Sequence, residues 1–225
     1  MRLLIAPLLE IEENDQRQPI PYRIPPGIER QQQLSNNNVN LFLNEQSLSM
    51  QVCGLPQYDA RGVFKTMNLD MRQYGKLSMF IHAESVQGAQ PIEDGDLQGV
   101  IRIGSDFSGN YYEIKIPLKK TNFGETDSLK IWPAENNLDF QLNDLTRLKS
   151  TRNKLGISPS KYYSETLPNG KTYAIVGNPN LGEVRGMLMG VENVRLETVC
   201  TEVWFNELRF SQLDESGGWA ALARA

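Results

Sequence analysis

A chain of 225 residues with 40% hydrophobic, 8% aromatic and 22% charged residues has the makeup of a globular protein with one sizeable core, not of a disordered or collagenous one. Its formal net charge of −4, with acidic and basic residues interspersed, provides no basic stripe to neutralise a phosphate backbone and argues against nucleic acid as a partner. The longest apolar run, Leu3 to Leu9, is broken by Pro7 and falls far short of the roughly 20 residues a membrane helix needs.

Glu10, Glu12, Glu13 and Asp15 follow that run where a signal peptide would carry a small-residue cleavage site, so if the protein is exported its targeting signal lies outside these residues. Residues 1–45 hold Pro19, Pro21, Pro25 and Pro26, then the polar runs Gln31 to Gln33 and Asn36 to Asn38. Proline removes amide donors and the polar runs have little to bury, which predicts an extended connector or clasp, ordered only where it docks on a neighbour. Residues 46–212 change to short β-type runs separated by turn residues.

The clearest strand is Lys76 to Glu84, with Leu77, Met79, Ile81 and Ala83 on a buried face and Ser78, His82 and Glu84 on a wetter one. Leu97 to Ser105 and Tyr111 to Leu118 repeat the alternation, the second with Glu113 and Lys115 facing outward. The turn formers Asp106 to Asn110 join them into an antiparallel hairpin. Asp139 reads as the cap of a single helix carrying Leu142, Leu145, Leu148 and Leu155, ended by Gly156. Asn169-Gly170 marks a hairpin between Lys161 to Leu167 and Lys171 to Val176, and strands over Val184 to Val191 and Thr201 to Phe210 follow. Eight or nine strands and one helix, without strand–helix alternation, predict a mainly β fold: an antiparallel, jelly-roll-like β-sandwich with an extended N-terminal segment. The tail 213–225, with Trp219, ends within an apolar pattern and reads as the start of another element.

Cys53 and Cys200 match no metal-ligand or CxxC spacing, and a disulfide and two buried thiols stand as equal readings. His82 is the only histidine, so any triad or His-based metal site must use it; beside Glu84 in a strand it reads as a surface or half-buried hydrogen-bonding residue. Glu202 and Glu207 superficially resemble the acidic strand of laminarinase-like glycoside hydrolases. Trp204 replaces that motif's central Asp, however, and strict alternation puts the two glutamates on opposite faces unless a bulge intervenes. Asp94 and Asp96, and the series Asp106, Ser108 and Asn110, are turn formers first and structural-calcium ligands second. Tyr111, Tyr162, Tyr163 and Trp204 are candidates for a carbohydrate-binding platform or for packing. No catalytic, cofactor or metal residue is assigned, and the face around Trp204 and Asn206 is the candidate interaction face.

The stretches Tyr22 to Arg30 (YRIPPGIER), Asn44 to Leu48 (NEQSL), Met67 to Tyr74 (MNLDMRQY), Gly182 to Gly186 (GEVRG) and Val203 to Arg209 (VWFNELR) together resemble the SprA/Sov family. These are giant outer-membrane translocon proteins of the type IX secretion system in gliding and related Bacteroidetes. The resemblance implies one extramembrane, non-catalytic module of a β-barrel protein several times longer, at the cell surface or the periplasmic face. Its partners would be the rest of the barrel, secretion accessory proteins and exported cargo, and the tail 213–225 would lead towards a barrel strand.

Overall fold

The computed structural model describes residues 3–30, 32–34, 40–42 and 44–213. The N-terminal part forms β1 (Leu3–Ile5), β2 (Leu8–Glu10), the one-turn α1 (Ile11–Asn14), β3 (Gln32–Leu34) and β4 (Asn40–Phe42). Then come β5 (Gln46–Leu55), β6 (Ala60–Leu69), β7 (Tyr74–Ser85), β8 (Leu97–Gly104), β9 (Tyr111–Pro117), the one-turn α2 (Ser128–Ile131) and β10 (Leu138–Gln141). The remainder is α3 (Leu142–Lys154), β11 (Tyr163–Thr166), β12 (Thr172–Val176), β13 (Val184–Asn193) and β14 (Val199–Leu213).

Two six-stranded sheets face each other. The first has the order β1-β5-β14-β7-β10, with β2 continuing along β5 beyond β1; the second has the order β11-β12-β9-β8-β13-β6. Their ladders are antiparallel, as the alternating sequence of residues 46–212 predicts. The inner faces meet in one core, where Leu77, Met79 and Ile81 of β7 and Val203 and Phe205 of β14 oppose Ile101, Ile103, Ile114 and Ile116 of β8 and β9. α3 closes one end of the sandwich with Leu142, Leu145 and Leu148, while Leu155 is exposed and Gly156, at φ +66°, ends the helix.

Against eight or nine expected strands the described residues hold fourteen; β1 to β4 and β10 are additional, and β5 and β6 lie in the β-type region from residue 46 without individually predicted bounds. Three-residue strands carry no readable period. β10 holds Asp139, which caps nothing: α3 starts at Leu142, directly after β10, with Gln141 at its N-cap, and Asp139 instead pairs with Lys76 at 2.9 Å. The Asn169-Gly170 hairpin forms with Gly170 at φ +79°, a conformation in which a side chain would be strained. Of the tail 213–225, only Leu213, the last residue of β14, is among the described residues; Trp219 is not.

Residues 15–24 cross the outward face of the first sheet as a strap. Leu9, Ile20 and Tyr22 are buried there against Trp204 of β14 and Ile131 and Trp132 at the end of α2. The backbone is tied down on both sides. Gly124 N donates to Pro19 O (3.0 Å), Ser128 Oγ to Ile24 O (2.6 Å) and Trp132 Nε1 to Arg23 O (2.7 Å). The neighbour on which the proline-rich segment docks is thus the chain's own sandwich. A Trp side chain buries on the order of 200 Å², about 5 kcal/mol at 25 cal/mol per Å², so this second cluster is a major part of the fold.

Candidate functional site

The strap covers a face of the sandwich on which His82 and Glu84 are buried together with the rings of Tyr22, Trp132 and Trp204. Cross-strand register sets the arrangement: β14 places Glu202 opposite Glu84 and Trp204 opposite His82 on β7. Like charges directly opposite each other on neighbouring strands repel, and Glu84 is only 1% exposed. Arg17 of the strap supplies the counter-charge. Its Nη2 donates to Glu84 Oε1 at 2.7 Å and Glu202 Oε2 at 2.8 Å, and its Nη1 donates to Ile20 O at 2.9 Å. The guanidinium also lies 5.1 Å from the centroid of the Trp204 ring, within cation–π range.

The remaining oxygen of Glu202 accepts from Ser49 Oγ and from Trp204 Nε1, both at 2.8 Å. His82 Nδ1 lies 2.8 Å from Ile131 O, and because a carbonyl can only accept, that nitrogen carries the proton. Its Nε2 faces Glu84 Oε2 at 3.5 Å. At the other end of the strap Tyr22 donates to Glu45 Oε2 (2.7 Å) and accepts from Asn206 Nδ2 (2.8 Å). Burial, and after it the Glu45 hydrogen bond, pushes the Tyr22 hydroxyl far above its ordinary value, which keeps it a donor.

Several sequence-based expectations are corrected by this layer. His82 is 0% exposed, neither a surface nor a half-buried residue, and Glu84 is equally hidden, because the strap and Ile131–Trp132 cover the face that alternation alone assigns to water. Glu113 on β9 is also buried, held by Arg102 Nε (2.6 Å) and the Tyr162 hydroxyl (2.9 Å). Trp204 and Asn206 lie on the same face of β14, and both contact Tyr22 of the chain's own strap. The ring candidates cannot form one platform: Trp204 is buried in the first sheet, while Tyr111 and Tyr163 belong to the second, where Tyr111 is buried under Arg102 and Tyr162 bonds Glu113.

A bulge does intervene in β14. The register shifts between Asn206 and Arg209, and Glu207 sits at φ +55°. Glu207 therefore turns to the strap side, where it binds Arg209 and lines an open cleft of about 760 Å³ with Glu45, Asn44 and Ile28. The parity objection to a Glu202–Glu207 pair falls away. In its place stands the engagement of Glu202 with Arg17, Ser49 and Trp204, outside that cleft.

Turn chemistry accounts for the calcium candidates. Asp106 accepts the amides of Ser108, Gly109 and Asn110, whose hydrogen bonds hold its carboxyl far below the usual range. Asp94 accepts Lys120 N, and Asp96 accepts Glu93 N and pairs with Arg195. Among the described residues no group of three or more His, Cys, Asp or Glu side chains could hold a metal. Cys53 and Cys200 face each other across β5 and β14 with Cα atoms 3.9 Å apart and their sulfurs in bonding contact, a pairing that only the register could reveal.

Residues 6–225 match the family SprA_N, described as motility related/secretion protein. No curated protein matches the chain. Among solved structures it is similar to an exo-β-agarase, at 13% identity and a TM-score of 0.41, with 92% of this chain and 26% of that one covered. It is also similar to a carbohydrate-binding module with specific mannan recognition, at 11% identity and a TM-score of 0.31, covering 93% and 97%. The chain spans about a quarter of the agarase's length. Among the described residues no helix is long and apolar enough to cross a membrane, which does not bear on β-barrel strands.

Proposed function

The chain belongs to the SprA_N family of motility-related secretion proteins, and from that membership we propose that it is a non-catalytic structural and interaction module of an outer-membrane translocon of the type IX kind. The observation that carries the reading is the state of the strapped face. Arg17, Glu84, Glu202 and Trp204 are engaged in fixing the N-terminal segment to the sandwich, with His82 stacked behind Trp204, an arrangement suited to rigidity and not to turnover. On this reading residues 46–212 are the sandwich domain, residues 1–45 an extended connector whose residues 15–24 strap onto it, and residues 213–225 the lead towards a barrel strand. A Cys53–Cys200 disulfide accords with an exported location, at the cell surface or the periplasmic face. Partners are the remainder of the secretion protein, its accessory proteins and its cargo.

Photo-crosslinking in cells tests the proposal. The probe replaces exposed Tyr58 or Leu196 in the full-length protein, and adducts are identified by mass spectrometry. Adducts to barrel segments, secretion proteins or exported cargo are expected; adducts confined to glycans would overturn the reading in favour of a carbohydrate-binding module.

A further inference from the structure

Sheet edges carry unpaired backbone donors and acceptors, and proteins that leave them bare blunt them by shortness, proline or charge. Of the four edges of the two six-stranded sheets, three are blunted by shortness. β10 and β11 have four residues each, and β1 and β2 are three-residue pieces separated at Pro7. The fourth, β6, runs for ten residues without a proline, and its charged side chains, Arg61 and Lys65, are both basic. It pairs with β13 on one side, and its other side has no strand partner among the described residues.

We propose that the free edge of β6 accepts an extended, acidic segment of a partner polypeptide as an additional strand. The side chains specify the partner. Phe64 is 64% exposed and sits opposite Leu188, with Gly62 opposite Gly190 beside it, so an apolar residue of an incoming strand has a ring to pack on and no bulk in its way. Alternate positions of β6 carry Arg61 and Lys65. Arg61 is paired with Asp59, whereas Lys65 is exposed and makes no ion pair among the described residues. A strand alternating carboxylates with apolar residues matches that pattern, with main-chain hydrogen bonds supplying affinity and alternate side chains supplying selectivity. A second copy of β6 is a poorer occupant, because it would bring two basic edges together. The inference rests on the interaction-module reading and names the class of partner it takes.

The probe is a blocked synthetic peptide alternating Val and Glu, titrated into the isotope-labelled chain with backbone amides followed by NMR. Expected are shifts and exchange protection along β6. Methylating the peptide amides that point towards β6 should abolish binding while methylating those that point away spares it. Lys65→Glu, at an exposed position, should weaken binding about five- to tenfold without changing the fold. Shifts centred elsewhere, indifference to both methylation patterns, or a concentration-dependent dimer formed through β6 without peptide would overturn the edge assignment. The module reading would survive those outcomes, since it stands or falls on the crosslinking experiment.

Discussion

The imidazole of His82 lies almost flat on the indole of Trp204, with ring centroids 3.9 Å apart and planes inclined by 24°. Because these two residues are cross-strand partners, the stack belongs to the sheet, and Tyr22 and Trp132 close over it from the strap side. Removing the indole takes away the surface on which the strap rests. Trp204→Ala should cost about 3–5 kcal/mol in denaturant unfolding. Hydrogen exchange should rise first in residues 15–24 while β8 and β9 remain protected; uniform loss of protection would show that strap and sandwich do not separate.

Arg17 pairs with both Glu84 and Glu202 through one nitrogen. Arg17→Ala leaves two carboxylates facing each other under cover and should cost about 3 kcal/mol, at the low end for a broken buried pair because Arg17 is partly exposed. Adding Glu202→Gln to that variant should restore part of the loss, since it removes the repulsion that Arg17 relieves. A double-mutant cycle by urea denaturation measures this coupling, and additive effects would contradict it.

Asp106 gives the pH dependence. Its folded value is held far below the ordinary carboxylate value, chiefly by the Gly109 amide, then by Asn110 and Ser108. A depressed carboxylate contributes stability that is fully present above the unfolded pKa, near ~3.9, and is lost as pH falls below it towards the folded value. Asp106→Ala should cost about 1 kcal/mol or less near neutrality, since the side chain is partly exposed and screened by solvent. The deficit relative to the parent protein should shrink as the solution is acidified below the unfolded value, as measured by thermal unfolding over a pH series.

The opposition of Cys53 and Cys200 in the ladder predicts a disulfide in protein made in an oxidising compartment. Intact-mass analysis without reductant should find two hydrogens fewer than the reduced chain and no alkylation. Reduction should lower stability by about 2–5 kcal/mol, because the bond closes a loop across most of the sandwich. Quantitative alkylation without reductant would refute the bond.

What was readable in the sequence was whatever one strand records by itself. The alternation from Leu77 to Ala83 gave the inner face of β7, and the turn formers from Asp106 to Asn110 gave the β8–β9 hairpin. Alternation cannot see a layer laid on afterwards by a distant segment. The strap is held by a few irregularly spaced residues among prolines, Arg17, Ile20 and Tyr22, so His82 and Glu84 read as wet. The pairing of Glu84 with Glu202 depends on register across more than a hundred residues of intervening chain. The bulge at Glu207 left no glycine or proline in the sequence to announce it.

The antiparallel ladders also have a mechanical direction. β1 pairs with β5 at Cys53, β5 pairs with β14 at Cys200, and β14 then runs past Phe205 to Leu213 at the opposite end of the sheet. A pull between Leu3 and Leu213 is therefore directed along the strands, so it loads the β1–β5 hydrogen bonds together in shear and does not unzip them one at a time, while the Cys53–Cys200 bond ties β5 to β14. A module threaded in this way transmits tension as a stiff link, and its resistance is set by how fast that ladder slips under load.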